Sequence, residues 1–287
     1  MRELLLHPTT WHQLRALKQS TPQAVMISGK PGAGKQAMGL SLASDVLGVE
    51  DAQTHPYFLL VSPEKLHIGI EEVRKIRDFL SRKTTGKGTI RRIVLILDAH
   101  TMTTEAQNAL LKTLEEPPAD TMIVLTTSDI TALKPTIRSR SQHLITLPVS
   151  KENATDYFIK QGYDQEQIQT AYFLSGGEVG LMAALLAEQT DHQLVAAISQ
   201  AKDLLQASKY DRLVRVDELS KQKDQLSSLL SGMQRVVNSG LGQATASDNQ
   251  PRAKKFYNLS QVVMTAQDQL KQNVNAKLLL TNLFLGM

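Results

Sequence analysis

The sequence predicts an α/β fold followed by an all-α part: a phosphate-loop parallel sheet with helices on both faces, then helical modules to the C-terminus. Three observations carry this. Residues 27–35 read ISGKPGAGK, a glycine-rich loop of G-x-x-x-x-G-K spacing directly after a short apolar run. Apolar runs of strand length then alternate with amphipathic stretches as far as Pro148, the pattern of a parallel sheet with right-handed crossovers. Beyond Pro148 the composition shifts: of the 10 prolines only Pro251 follows it, and Leu, Ala, Gln and Lys recur at helical spacing.

Taken in order, Thr9 or Thr10 can cap a first helix with Trp11, Leu14 and Leu17 on one face. Residues 24–27 suit a buried strand, and the loop comes next. Gly29, Lys30, Pro31, Gly32, Ala33, Gly34 and Lys35 form its cradle. The glycines let backbone N–H groups turn toward an anion, the next helix adds positive potential from its N-terminus, and Lys35 reaches outer phosphates. The motif should close on a Ser or Thr that ligates Mg²⁺; that position is Gln36.

Residues 57–61 read as a second strand. Ile70, Val73, Ile76, Phe79 and Leu80 mark an amphipathic helix. Its polar face carries Arg74, Lys75 and Arg77, and Arg82, Lys83, Lys87, Arg91 and Arg92 come after it. This basic run reads either as a solvated face with a flexible turn or as a nucleic-acid patch. Residues 93–97 are apolar without interruption, as in a strand covered on both faces, and Asp98 ends it. Thr103 or Thr104 caps a helix with Ala106, Ala109, Leu110, Thr113 and Leu114 on one face, stopped by Pro117-Pro118. Residues 122–125 and 144–147 supply two more strands.

After Pro148 the chain reads as a short helical module to about Thr190 and a helical bundle beyond it. The units expected are 1–148, 149–190 and 191–287. Ser175-Gly176-Gly177 interrupts the helical pattern, Leu226, Leu229, Leu230, Met233 and Val237 form a stripe, and residues 240–251, small and polar, read as a loop.

Composition narrows the function. With no cysteine among 287 residues, disulfides and thiolate metal sites are excluded. Residues 4–6 are too short an apolar run for a signal peptide, and no stretch nears the roughly 18 apolar residues of a membrane span. A cytoplasmic protein without a membrane partner is expected. A net charge of +4 permits nucleic-acid contact without demanding it.

A nucleotide hydrolase on this fold needs a strand-end Asp for the metal, a Glu beside it to polarise water, a polar strand-end residue and an arginine for the developing charge. Asp98 fits the first role by position, but Ala99 stands where the Glu belongs. Thr127 or Ser128 can serve as the polar strand-end group. His100 reads more readily as a packed or solvated residue than as a substitute base. Glu115 and Glu116 oppose the macrodipole of their helix, at about 0.3–1 kcal/mol each if exposed, which suggests a contact with a neighbouring subunit.

Residues 108–118, NALLKTLEEPP, followed by Ile137-Arg138-Ser139-Arg140-Ser141, resemble the AAA+ clamp-loader subunits of bacterial DNA polymerase III. Residues 54–65 and 273–287 resemble one subunit type within that group. The resemblance runs through the whole chain and implies an AAA+ domain, a small lid and a C-terminal collar. Loader ATPases have Ser or Thr at position 36, Glu at 99 and a sensing arginine in the lid, where this chain has Gln36, Ala99 and Gly180-Leu181. The zinc-binding cysteines common in clamp loaders are absent, so no zinc or other metal is expected. The resemblance implies that Ser139 and Arg140 lie at a subunit interface, with Arg140 reaching into a neighbour's ATP site from a polar, exposed Ser139–Ser141 turn.

Together, the resemblance and these departures imply an arginine donor without hydrolysis of its own, binding ATP or ADP at most. Its implied partners are the gamma/tau ATPase and delta subunits and, through the assembly, the sliding clamp and primed DNA. The alternatives are an active ATPase of the gamma/tau type and a free-standing AAA+ ATPase of DNA repair.

Overall fold

The computed structural model describes residues 4–64, 66–85, 89–221, 223–272 and 274–287. Lys65 and Asn273 of the resembling stretches and Lys87 of the basic run lie outside them. The first helix, α1 (Pro8–Ser20), begins earlier than its threonines suggest. Pro8 occupies the first turn, and the His7 ring accepts a hydrogen bond from the Thr9 N–H at 3.2 Å. Thr10 is buried instead of capping. Its hydroxyl donates to the carbonyl of Ile145 at 3.2 Å and accepts from the N–H of Leu147 at 3.1 Å. The buried face is therefore Thr10, Leu14 and Leu17, and Trp11, expected with them, stands 43% exposed beside Arg15.

The sheet elements run β1 (Ala24–Ser28), α2 (Lys35–Leu47), β2 (Phe58–Val61), α3 (Ile70–Ser81), β3 (Arg92–Ile96), α4 (Thr104–Glu115), β4 (Thr121–Thr127), α5 (Pro135–Ser139) and β5 (Gln142–Ile145). Each sits within a few residues of its expected place. Five parallel strands pair in the order β2-β3-β4-β1-β5. Every residue of β3 and β4 is buried, as uninterrupted apolar runs require of strands covered on both faces. Val73, Ile76, Leu110 and Ile137 of α3, α4 and α5 cover one face, against Met26, Val94, Ile123 and Leu125. Leu14, Leu17, Met38 and Leu42 of α1 and α2 cover the other, against Val25, Ile27, Leu95 and Val124.

β5 is an edge strand, and its outward groups at Ile145 are taken up by Thr10 and by the Gln13 side chain, which accepts from the Ile145 N–H at 3.3 Å. Covering an edge in this way blocks pairing with a foreign strand. Because β1 lies between β4 and β5, the loop after it opens at the carboxyl ends of the strands, where ligands of open parallel sheets bind.

The chain divides after Val149 into two compact units. The second comprises α6 (Lys151–Lys160), α7 (Gln165–Ser175), α8 (Val179–Leu186), α9 (Gln193–Gln206), α10 (Lys209–Val214), α11 (Val216–Lys221), α12 (Lys223–Ala246), α13 (Gln250–Lys271) and α14 (Ala276–Gly286). Its main core joins Leu226, Leu229, Leu230 and Met233 of α12 to Leu279, Leu280, Leu283 and Phe284 of α14. A smaller cluster packs Leu174 and Leu181 against Ile198, with Val236 alongside.

The loop expected over 240–251 is mostly helix: α12 runs on to Ala246, and α13 starts at Gln250. The glycines there are seats for packing. A Cβ on Gly240 would lie 2.4 Å from the Phe256 ring, and one on Gly242 3.1 Å from Phe173. Earlier in α12, a Cβ on Gly232 would lie 2.5 Å from the Ala197 carbonyl oxygen of α9. Among the described residues no helix is long and apolar enough to cross a membrane.

Candidate functional site

The loop between β1 and α2 has the curl that the glycine spacing demands. Gly32 and Gly34 take φ values of 88° and 82°, in the left-handed region that favours glycine, and Gly34 is the N-cap of α2. The opening Gly29 is needed for space. Its N–H donates to the Thr127 carbonyl at 3.2 Å, and a Cβ there would fall 1.7 Å from Thr146 Oγ1 just past β5. Lys30 and Pro31 are exposed, Ala33 is buried, and Lys35 is only 8% exposed.

The Lys35 ammonium donates to the carbonyls of Gly29 and Lys30, both at 2.9 Å. The cation thus sits inside the curl, where it can meet a phosphate. Gln36 is exposed on the first turn of α2 and has no hydroxyl to offer a metal. The residues present fit a phosphate and lack one ligand for its Mg²⁺.

Across the crevice, Asp98 ends β3 in a left-handed conformation (φ 47°, ψ 48°), and its N–H donates to Thr126 Oγ1 at 3.0 Å. The Asp98 side chain is exposed, whereas Ala99 is 0% exposed and packed among Met102, Ala106 and the core of the sheet. The place of the water-polarising Glu is sealed. Thr127 turns its hydroxyl into its own loop, donating to the Asp129 carbonyl at 2.8 Å. Ser128 faces His100, with Oγ 3.0 Å from Nε2. The Ser128 N–H lies 3.4 Å from Nδ1 and can only donate, so the neutral ring carries its proton on Nε2. Burial pushes the His100 pKa below the ordinary imidazole value and the Lys35 charge acts the same way, while Asp98 and Asp129 oppose them. The structure therefore gathers Lys35, Asp98, His100 and Ser128 around one crevice, with a neutral histidine in the midst.

Arg140 stands on a separate turn. Pro135 opens α5, Ile137 anchors it in the core, and Arg140 caps its end. One guanidinium nitrogen of Arg140 lies 3.0 Å from Glu115 Oε1, and another donates to the Thr136 carbonyl at 3.2 Å. Ser139 is exposed, but Ser141, expected to be exposed with it, is 9% exposed and donates to the Ile137 carbonyl at 3.0 Å. The turn needs that inward bond to close, so only Ser139 and Arg140 face outward.

The whole turn is cradled by α4. The Gln107 side chain donates to the Ala132 carbonyl at 3.1 Å and accepts from the Lys134 N–H at 3.0 Å, and Lys134 pairs with Asn108. Gln107 and the NALLKTLEEPP stretch that follows it thus brace the arginine turn. Glu115, expected to contact a neighbouring subunit, has an intrachain cation that offsets its conflict with the helix dipole. The pair joins two separate elements, the end of α4 and the end of α5, so beyond that conflict it leaves no local signal in the sequence.

In the second unit, Gly180 and the fully buried Leu181 stand where the resemblance led a sensing arginine to be expected. Nearby, Arg235 donates to the Ser175 carbonyl at 2.8 Å and feels the charge of the buried Glu178.

A family described as DNA polymerase III, delta subunit, matches residues 7–149. The chain is 30% identical over 181 residues to DNA polymerase III subunit delta' of Escherichia coli K12, covering 56% of this chain and 54% of that protein. It is 32% identical over 159 residues to subunit delta' of Bacillus subtilis 168, covering 50% and 48%. These matches span about half the length of each relative. Among solved structures, a gamma subunit-related DNA polymerase III protein from Thermotoga maritima superposes with a TM-score of 0.51 at 21% identity, over 96% of this chain and 97% of that one. That likeness speaks for the fold alone.

Proposed function

This chain belongs to the AAA+ clamp-loader subunits of DNA polymerase III, most like delta prime, and on that premise we propose a scaffold subunit that hydrolyses no ATP itself and lends Arg140 to a neighbour. The observation that carries the reading is position 99: where a base is needed, a methyl group is sealed in the core, while Arg140 stays exposed on a braced turn. Gln36 supports it, since metal positioning and electrostatics supply nearly all of the catalysis in phosphoryl transfer. The intact loop with Lys35 in its curl supports retained binding of ATP or ADP, without hydrolysis.

In this reading the helices from 191 onward form a collar that holds the assembly with gamma/tau and delta subunits, and 149–190 is the lid. Exposed Tyr210, Val214, Leu278 and Leu285 on α10 and α14 offer the collar apolar surface. The neighbour served by Arg140 then drives loading of the sliding clamp onto primed DNA.

Steady-state ATP hydrolysis by the isolated chain is the test. The expected rate is that of a buffer control. A turnover of about 1 s⁻¹, the low end of ordinary enzyme rates, abolished by Lys35→Ala, would instead establish an active ATPase of the gamma/tau type. Failure to co-purify with loader subunits would point to a free-standing protein.

A further inference from the structure

The basic run over 74–92 divides in the structure into two halves of different character. On α3, Arg74 pairs with Glu71, and Lys75 lies 3.2 Å from Glu64 and 3.6 Å from Glu72. Arg77 has no carboxylate within ion-pair distance among the described residues, but the three cations of α3 are matched in number by Glu71, Glu72 and Asp78, so that half is a charge-balanced, solvated helix face. The other half closes around a cavity of about 580 Å³ lined by Arg82, Lys83, Thr84, Thr89, Arg91 and Arg92. It opens where β3 begins, at the opposite end of the sheet from the phosphate loop.

The charges of this cavity do not cancel. Asp120 is the carboxylate of its lining, and it is already engaged. Arg92, 6% exposed, donates to Asp120 Oδ1 from Nη2 at 2.8 Å and from Nε at 3.1 Å, and to the carbonyls of Leu80 and Arg82 from Nη1 at 2.7 and 2.8 Å. Arg91 lies 3.5 Å from the other Asp120 oxygen, which Thr84 also holds. Burial alone would raise the Asp120 pKa, but the hydrogen bonds from Thr84 and Arg92 and the two guanidinium charges hold it below the ordinary value, so the carboxylate stays ionised.

Four cations then face one anion. Among the described residues no carboxylate comes within ion-pair distance of Arg82 or Lys83. Beside the cavity, just before β2, the Tyr57 hydroxyl bonds Thr85 Oγ1 at 3.0 Å, and His55 packs edge-on to Tyr57 with ring centroids 5.7 Å apart.

We propose that this cavity binds the phosphodiester backbone of a nucleic acid, at a site separate from the phosphate loop and from Arg140. A braced guanidinium floor, threonine hydroxyls and unpaired surface cations are the groups that contact phosphates. An adjacent aromatic pair suits a strand whose bases are unstacked. An acidic peptide would meet the same cations, but it brings no base to stack on the His55–Tyr57 pair. The site does not depend on the subunit role proposed above.

The test is anisotropy of a fluorescein-labelled oligothymidylate titrated with the full chain, from about 50 to about 200 mM salt. Three proteins are compared: wild type, Arg82→Gln/Lys83→Gln, and Arg74→Gln/Lys75→Gln from the charge-balanced half. Wild-type binding is expected to weaken as salt rises. The first double variant should lose about tenfold in affinity at low salt, and its slope of log K against log salt should fall by about 1.4, the loss of two phosphate contacts to a single strand. The second double variant should bind as wild type does, and thermal melts of all three should agree. An unchanged affinity and slope for Arg82→Gln/Lys83→Gln would overturn the proposal, as would an equal loss in both double variants. Displacement of the oligonucleotide by polyglutamate at matched charge would make it an acidic-peptide site, and displacement by millimolar inorganic phosphate a small-anion site; either result overturns the assignment.

Discussion

Arg140 is held at rest by weak partners. Its pair with Glu115 joins side chains 37% and 50% exposed, and such pairs are worth about 0–1 kcal/mol. A phosphate on an adjoining chain can take the guanidinium over, because its planar fork donates to two phosphate oxygens at once. An arginine supplied in trans contributes roughly 10³–10⁵ in rate in other phosphoryl-transfer systems. Arg140→Ala should therefore leave folding and assembly intact but lower clamp- and DNA-stimulated hydrolysis by a reconstituted loader, at the one site this subunit faces. Arg140→Lys should rescue poorly. Glu115→Gln should keep that hydrolysis within about fivefold, the equivalent of about 1 kcal/mol. If Glu115→Gln is as damaging as Arg140→Ala, the arginine acts through its intrachain pair and not in trans. Ala99 makes a second prediction at this scale. Restoring the missing base as Ala99→Glu places a carboxylate in a site with no exposure, so stability should drop by about 3 kcal/mol or more, read as a lower urea midpoint, with no gain of hydrolysis.

Among the elements, α12 shows how glycine can belong to a helix. Exchanging an exposed helical glycine for alanine stabilises by about 1 kcal/mol. At Gly232 the sign should reverse, because the new Cβ meets backbone of α9 at 2.5 Å and backbone cannot swing aside. Gly232→Ala is expected to destabilise by about 1–3 kcal/mol in thermal or urea melts. Gly240→Ala should cost less, since the group it meets is the movable end of the Phe256 side chain. A stabilised Gly232→Ala would mean that α9 and α12 do not cross this closely in solution. α4 works in another way: its first turn is capped by the Thr103 hydroxyl, its apolar face enters the core, and its polar face supplies Gln107, Asn108 and Glu115 to hold the arginine turn.

For the whole molecule, the boundary after Val149 decides where the chain can be cut. A chain ending at Val149 keeps both apolar layers of the sheet and should remain folded by circular dichroism, yet fail to co-purify with the other loader subunits. A cut near Thr190 leaves Leu174 and Leu181 without Ile198, so that longer fragment should melt lower or aggregate. Assembly by the chain ending at Val149 as efficient as by the full chain would remove the collar role.

The sequence by itself determined the sheet, the phosphate loop, the limits of α4 between Thr103 or Thr104 and Pro117-Pro118, and the missing groups at Gln36 and Ala99. All of these are local: an uninterrupted apolar run, a cap, a φ-restricted residue or an absent functional group is legible wherever the chain later goes. Tertiary structure alone decided that Glu115 meets Arg140, that Thr10 closes the β5 edge instead of capping α1, and that Ser141 turns inward. It also decided that half of one basic run is charge-balanced while the other half surrounds a cavity. The physical reason is shared. A hydroxyl, a guanidinium or a glycine has several uses of nearly equal energy, and which one is realised depends on the group that distant packing brings within about 3 Å of it.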